Sequence, residues 1–167
     1  MKIPIGMLTL MLGLNVRKFM LVLFALLLFV SASLALAEER SFTKDDTPSP
    51  VLVLSNEGVG LANFYANSLD FPSGTLPDPK ELLEIAWRTT YYPESANSKV
   101  ELCYFRPYSS QPNCVDIAPN SSGVIYEFNA QSFNHESRVV IKHYVLGGTP
   151  PYSRPAGVDT VTFRYRY

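Results

Sequence analysis

The sequence predicts an all-β protein, a single antiparallel β-sandwich of about seven or eight short strands, and three observations lead there. Short apolar runs recur along the chain, separated by Gly, Pro, Asn and Ser clusters, and no segment reads unambiguously as helix. The closing run, residues 158–167, alternates strictly: Val161, Phe163, Tyr165 and Tyr167 share one face, Thr160, Thr162, Arg164 and Arg166 the other. Residues 99–117 read as a β-hairpin that carries the only two cysteines of the chain.

In that hairpin Val100, Leu102 and Tyr104 alternate with Lys99, Glu101 and Cys103, and Val115 and Ile117 with Cys114 and Asp116. A strand period of two sends the apolar set to a core and puts both cysteines on the polar face. There Cys103 and Cys114 can meet across the strands, a geometry suited to a disulfide. Closing a loop of this size stabilises a fold by ~3 kcal/mol in the chain-entropy model. Such a bridge requires an oxidising compartment.

The N-terminus points to that compartment. Arg17 and Lys18 precede an apolar run over residues 19–30, and small residues then lead to Ala35-Leu36-Ala37 ahead of Glu38 and Glu39. The apolar run is shorter than the ~20 residues of a spanning helix, and the pattern is that of a signal peptide cleaved after Ala37, read through Ala35 and Ala37. The domain plan is therefore a signal peptide over 1–37, a flexible arm over 38–50 and one sandwich domain over 51–167. No stable membrane anchor follows cleavage. The mature chain then carries 11 basic and 15 acidic residues, a net charge of −4. That balance argues against a nucleic-acid partner. Residues 38–101 hold 11 acids against 5 bases, whereas residues 138–167 hold 5 bases against Asp159.

Along the mature chain, residues 38–50 are charged, end in Thr-Pro-Ser-Pro and offer little to bury, which predicts a mobile arm. Residues 51–54 and 59–65 read as two strands of a first hairpin around Asn56-Glu57-Gly58, and residues 70–79 as a loop. Residues 80–92 satisfy two templates. Asp78, Pro79 and Glu81 form a helix-start signature with Leu82, Leu83, Ile85 and Ala86 as a stripe, while Leu83, Ile85, Trp87 and Thr89 alternate as a strand. The strand-rich surroundings favour strand. Arg138–Leu146 is apolar on both faces and reads as an interior strand, broken by Gly147 and Gly148.

The residues predict no catalytic, cofactor or metal site. Only His135 and His143 are available as imidazoles, too few for a zinc site when both cysteines are bridged. There is no Gly-x-Ser-x-Gly elbow and no Cys-x-x-Cys, and acid pairs such as Glu81 and Glu84 read as solvated charges. The ten tyrosines raise a glycan-binding alternative, an envelope or extracellular sandwich with Tyr91, Tyr92, Tyr108 and Tyr152 as a loop-side patch. Trp87 reads as a core anchor. For protein binding, the closing strand offers a sheet edge, with Arg164, Arg166 and Tyr167 as the candidate partner-binding residues.

Several pieces recur together in one family: Ile85-Ala86-Trp87-Arg88, Val100-Glu101-Leu102-Cys103 with Asn113-Cys114-Val115-Asp116, Tyr144-Val145-Leu146-Gly147-Gly148, and the closing Val158-to-Tyr165 strand. In order and spacing they resemble the periplasmic flagellar protein family FlhE, from about Val51 to the end. The resemblance implies an immunoglobulin-like sandwich and a non-enzymatic periplasmic accessory of flagellar export or assembly. It implies as partners the flagellar export apparatus or exported rod and hook subunits, and it tips residues 80–92 further towards strand.

Overall fold

The computed structural model describes residues 37–53 and 57–167, so the predicted leader lies outside the described residues except for Ala37. The strands described are β1 (Glu39–Asp46), β2 (Val51–Leu52), β3 (Gly58–Tyr65), β4 (Lys80–Arg88), β5 (Ala96–Phe105), β6 (Pro112–Ile117), β7 (Ser122–Ile125), β8 (Ser132–Phe133), β9 (Arg138–Leu146), β10 (Tyr152–Ser153) and β11 (Asp159–Arg166), with a 3-10 turn at Ser68–Asp70. Sheet I has the order β1-β11-β4-β7 with β8 also on β4; sheet II has the order β3-β9-β5-β6; β2 and β10 make a short ribbon. Neighbours within both sheets run antiparallel. Among the described residues no helix is long and apolar enough to cross a membrane.

The two sheets face each other across one core. Leu102, Tyr104 and Ile141 project from sheet II, Ile85, Val161 and Phe163 from sheet I, and none is measurably exposed. The predicted parity holds at the closing strand: Val161, Phe163 and Tyr165 are buried, while Arg164 and Arg166 are exposed. It holds in the hairpin too, where Val100, Leu102 and Tyr104 are fully buried. Burial raises the Tyr104 hydroxyl to about 12, and it donates to the Ser132 carbonyl at 2.7 Å.

Residues 80–92 resolve as strand, and the helical look of the segment has a physical cause. Opposite β11, Arg164 pairs with Glu84 and Tyr165 with Leu82, so Leu83 is one residue too many. This β-bulge resets the alternation. Leu82 and Ile85, three apart, therefore both enter the core with no exposure, which is the spacing a helix would show. The carbonyl of Leu83 is taken by the side-chain amide of Asn129. Trp87 is half-buried against the core, and Gly123 on β7 makes room for it: a Cβ there would lie 2.8 Å from the indole.

Three expectations are corrected. Residues 38–50 are not a free arm: Glu39–Asp46 is β1, in register with β11 over its whole length. The segment has a single aromatic, but Phe42 lies against Phe163 at 5.0 Å and Phe71 at 5.6 Å, and Lys44 reaches Asp70 at 2.7 Å. One anchored ring plus a full set of backbone bonds offsets the polar composition. The domain accordingly starts before residue 51.

The first hairpin does not form as expected, because β2 pairs with β10 and β3 with β9. The outer edge of β3 is covered instead by the connection after β1. Ser49 donates its backbone N–H to the Leu61 carbonyl at 3.0 Å, its hydroxyl accepts from the Leu61 N–H at 3.0 Å, and Asp46 accepts from the Asn63 N–H at 2.7 Å. Finally, the closing strand is not an edge. With β1 on one side and β4 on the other, β11 is interior, and its backbone is not open to a partner.

Candidate functional site

The outward faces of the two sheets differ in how their charges are used. On sheet I, Arg164 lies 2.6 Å from Glu39 and 3.6 Å from Glu84, and Arg166 lies 2.6 Å from Glu81. The Arg164 guanidinium is held above its ordinary value, first by its hydrogen bond to Glu39 and then by the charges of Glu39 and Glu84. Further along, Thr43 and Thr162 share a hydrogen bond of 2.7 Å, and Thr160 donates to Asp45 at 2.6 Å. Tyr167 donates to Glu38 at 3.1 Å. Arg164, Arg166 and Tyr167 are thus parts of a cross-strand ladder that the fold itself closes.

The outward face of sheet II is arranged in rows across the strands. One row, Asp116, Glu101, Lys142 and Leu61, is electrostatic. Lys99 lies 2.6 Å from Glu101 and 3.1 Å from Asp116, and Tyr144 donates to Glu101 at 3.0 Å. The Glu101 carboxyl is lowered mainly by the Lys99 hydrogen bond, against the opposing effect of burial. The next row contains Cys114, Cys103, Val140 and Asn63. Cys103 and Cys114 are joined in a disulfide with Cα atoms 4.0 Å apart. Cys103 is fully buried, unlike its exposed partner, because β5 is flanked by β6 and β9 whereas β6 is an edge. Glu101 and the two sulfurs lie within 4.8 Å of one another, but the bridge uses both thiols, leaving one carboxylate as a ligand.

The third row is Pro112, Phe105, Arg138 and Tyr65. The Arg138 guanidinium lies 4.0 Å from the Phe105 ring centroid and 5.7 Å from that of Tyr65. Among the described residues it has no hydrogen-bond acceptor and no carboxylate within ion-pair distance. Next to it opens a shallow cleft of about 270 Å³ bounded by Tyr65, Tyr108, Ser109, Glu136 and Arg138. Tyr108 also borders a second cleft of about 410 Å³ that extends to His135 and Lys80. Its hydroxyl meets His135 Nε2 at 2.9 Å, yet the residue as a whole is 80% exposed.

Tyr108 owes its position to the hairpin turn. The Ser109 N–H donates to the Arg106 carbonyl at 3.1 Å, with Pro107 and Tyr108 at the corners and Tyr108 at φ 58°. This position in the turn ordinarily falls to Gly or Asn. Glu136, across the cleft, has φ 69°. Two non-glycine residues in the left-handed region thus border one cleft, the kind of local strain that a tightly determined surface sustains.

A buried polar pair joins the sheets at the opposite end. His143 Nε2 on β9 lies 2.7 Å from Asp159 Oδ2 on β11, and Asp159 Oδ1 accepts from the Thr90 N–H at 2.7 Å. Both side chains are fully buried. Tyr92 packs its ring on His143 at 5.7 Å and donates to the Ser49 carbonyl at 2.6 Å; burial first, and Asp159 second, push its hydroxyl pKa up. Without solvent access, this arrangement joins sheets rather than offering a group to a substrate.

The tyrosine patch expected from the loops does not assemble. Tyr92 is buried, whereas Tyr91 and Tyr152 are exposed. Tyr108 follows the Phe105 end of β5 while Tyr91 and Tyr92 precede its Ala96 end, a separation of roughly 30 Å along a strand of that length. The residues that do line the exposed cleft, Tyr65, Glu136 and Arg138, were not singled out from the sequence. One signal was present: Arg138 is the charged residue that opens β9, directly ahead of the apolar run Val139, Val140 and Ile141.

The chain matches no family model and no curated protein. Among solved structures it is similar to one described as "Crystal Structure of FLHE", with a TM-score of 0.49 and 18% identity, the alignment covering 78% of this chain and 100% of that one.

Proposed function

We propose that this protein is a non-enzymatic periplasmic accessory of flagellar export or assembly that acts by protein–protein contact. The observation that supports the reading is the ordered set of sequence pieces that resemble the FlhE family. Those pieces occupy framework positions here: Trp87 on β4, the Cys103–Cys114 bridge, the Gly147–Gly148 break with φ of 76° and 117°, and the interior strand β11. The disulfide fits an oxidising compartment, and the leader pattern fits export to it. An arginine beside aromatic rings, with no ion-pair partner among the described residues, on a face with exposed Val59, Leu61 and Tyr65, suits a contact surface, where Tyr and Arg commonly dominate the binding energy.

The test is genetic and biochemical together. Removing the gene should change the amount of hook and rod protein exported or the fraction of cells that assemble flagella. The oxidised protein, used as bait in a periplasmic extract, should retain a component of the flagellar export machinery. Unaltered flagella in the deletion strain would refute the proposal. A second reading, glycan binding, draws on the exposed Tyr65 and Tyr108 rings beside the cleft; it requires co-sedimentation with purified peptidoglycan that Tyr108→Ala abolishes.

A further inference from the structure

We infer that the cleft at Arg138 receives an acidic side chain from an extended segment of a protein partner; this deepens the contact reading above by naming the site and what it recognises. A guanidinium carries five N–H donors. That of Arg138 lies over the Phe105 ring at 4.0 Å, with the Tyr65 ring centroid 5.7 Å away, and no acceptor of this chain occupies its donors among the described residues. A cation held against an aromatic ring, with no counter-ion among the described residues, can offer its donors to a carboxylate, whose two oxygens match the fork. Arg106, exposed in the adjoining turn, adds to the positive charge.

The neighbouring residues narrow the ligand class. Glu136 borders the same cleft, exposed and, among the described residues, without an ion-pair partner. Its charge disfavours a polyanion such as a nucleic acid or an acidic polysaccharide, which would bring many negative charges against a carboxylate already at the cleft. A peptide has what both groups need: one carboxylate for Arg138 and backbone N–H donors for Glu136. Tyr108 and Tyr65 supply apolar walls for the residues on either side of the acid. The exposed apolar side chains of Leu61 and Val59 continue the surface along β3.

The test uses the full oxidised mature chain and two blocked probe peptides, acetyl-Gly-Leu-Glu-Leu-Gly-amide and the same sequence with Gln for Glu. NMR titration at millimolar peptide should show the Glu peptide shifting the Arg138 Nε–H and the amides of Tyr65, Tyr108 and Glu136. The Gln peptide should bind about tenfold more weakly, and Arg138→Met should weaken the Glu peptide by about the same factor. Tyr108→Gly, which suits the backbone at φ 58°, should also weaken binding while leaving the melting temperature unchanged or raised. Equal binding of the two peptides, or no effect of Arg138→Met in a folded protein, would overturn the proposal. So would a preference for oligogalacturonate over the Glu peptide, or occupation of the cleft by a second copy, seen as a concentration-dependent dimer that Arg138→Met dissolves. If the peptide fails while gene deletion still alters flagellar export, the site is wrong and the functional reading stands. If the peptide binds but deletion has no flagellar effect, the converse holds.

Discussion

The outward faces of sheets I and II are made from similar residues and used differently. On sheet I, Arg164 and Arg166 meet Glu39, Glu84 and Glu81 across the strands, so these charges are answered and closed off by neighbours. On sheet II, the row nearest the His143 end is closed in the same way around Glu101, but at the other end Arg138 faces aromatic rings instead of an acid. The lesson is that charge count says little about a binding surface. What matters is whether a charged group already has its partner, since a satisfied cation gains little by exchanging one carboxylate for another.

This contrast assumes that folding stability lies between the sheets, leaving the faces free to differ. Asp159→Ala tests that most severely. It strips the buried His143 and the Thr90 N–H of their acceptor, and breaking such a buried pair costs ~3–5 kcal/mol, measurable by urea denaturation. Next comes the paired replacement Cys103→Ala with Cys114→Ala, expected to lose ~2–4 kcal/mol. Because the bridge lies in the row beside Arg138, the same variant should also loosen peptide binding. Tyr108→Gly should move stability the other way, by up to about 1 kcal/mol, through relief of the left-handed turn residue.

Smaller effects test the closed faces. Arg166→Gln removes an ion pair whose side chains are about half exposed, so its cost should be under ~1 kcal/mol and should shrink further in high salt. A larger loss would mean that the ladder on sheet I is structural after all. For Glu101 the folded carboxyl titrates below its ordinary 4.5. Its contribution is therefore complete above pH 4.5 and disappears as the pH falls through the lowered folded value. Glu101→Gln should flatten the acid limb of the stability–pH curve by a small amount and leave the neutral plateau nearly parallel to the parent.

Much of the strand content was legible because it depends on alternation. The hairpin, the closing strand and the two-faced β9 all follow from period-two patterns, and the Cys103–Cys114 pairing follows from cross-strand register. Residues 80–92 were ambiguous because the bulge at Leu83 places Leu82 and Ile85 on one face at helical spacing. Residues 38–50 look like a free arm in the sequence because their docking depends on Phe42 finding Phe163 and Phe71, contacts far away in sequence. The same fact reversed the reading of Arg164, Arg166 and Tyr167: once β1 covers β11, an apparent edge becomes an interior strand.

The candidate cleft was the least legible feature, since it joins the ends of β3, β5 and β9 to the turn at Tyr108. By itself the chain of residues determined which side chains alternate, where turns interrupt them, and that two cysteines face each other, because these depend on neighbours within a few residues. Only the tertiary structure decided which strands lie side by side, which edge is covered and that Arg138 meets aromatic rings. Those outcomes depend on pairings between distant segments, and backbone hydrogen bonds will join any two strands whose faces can be buried together.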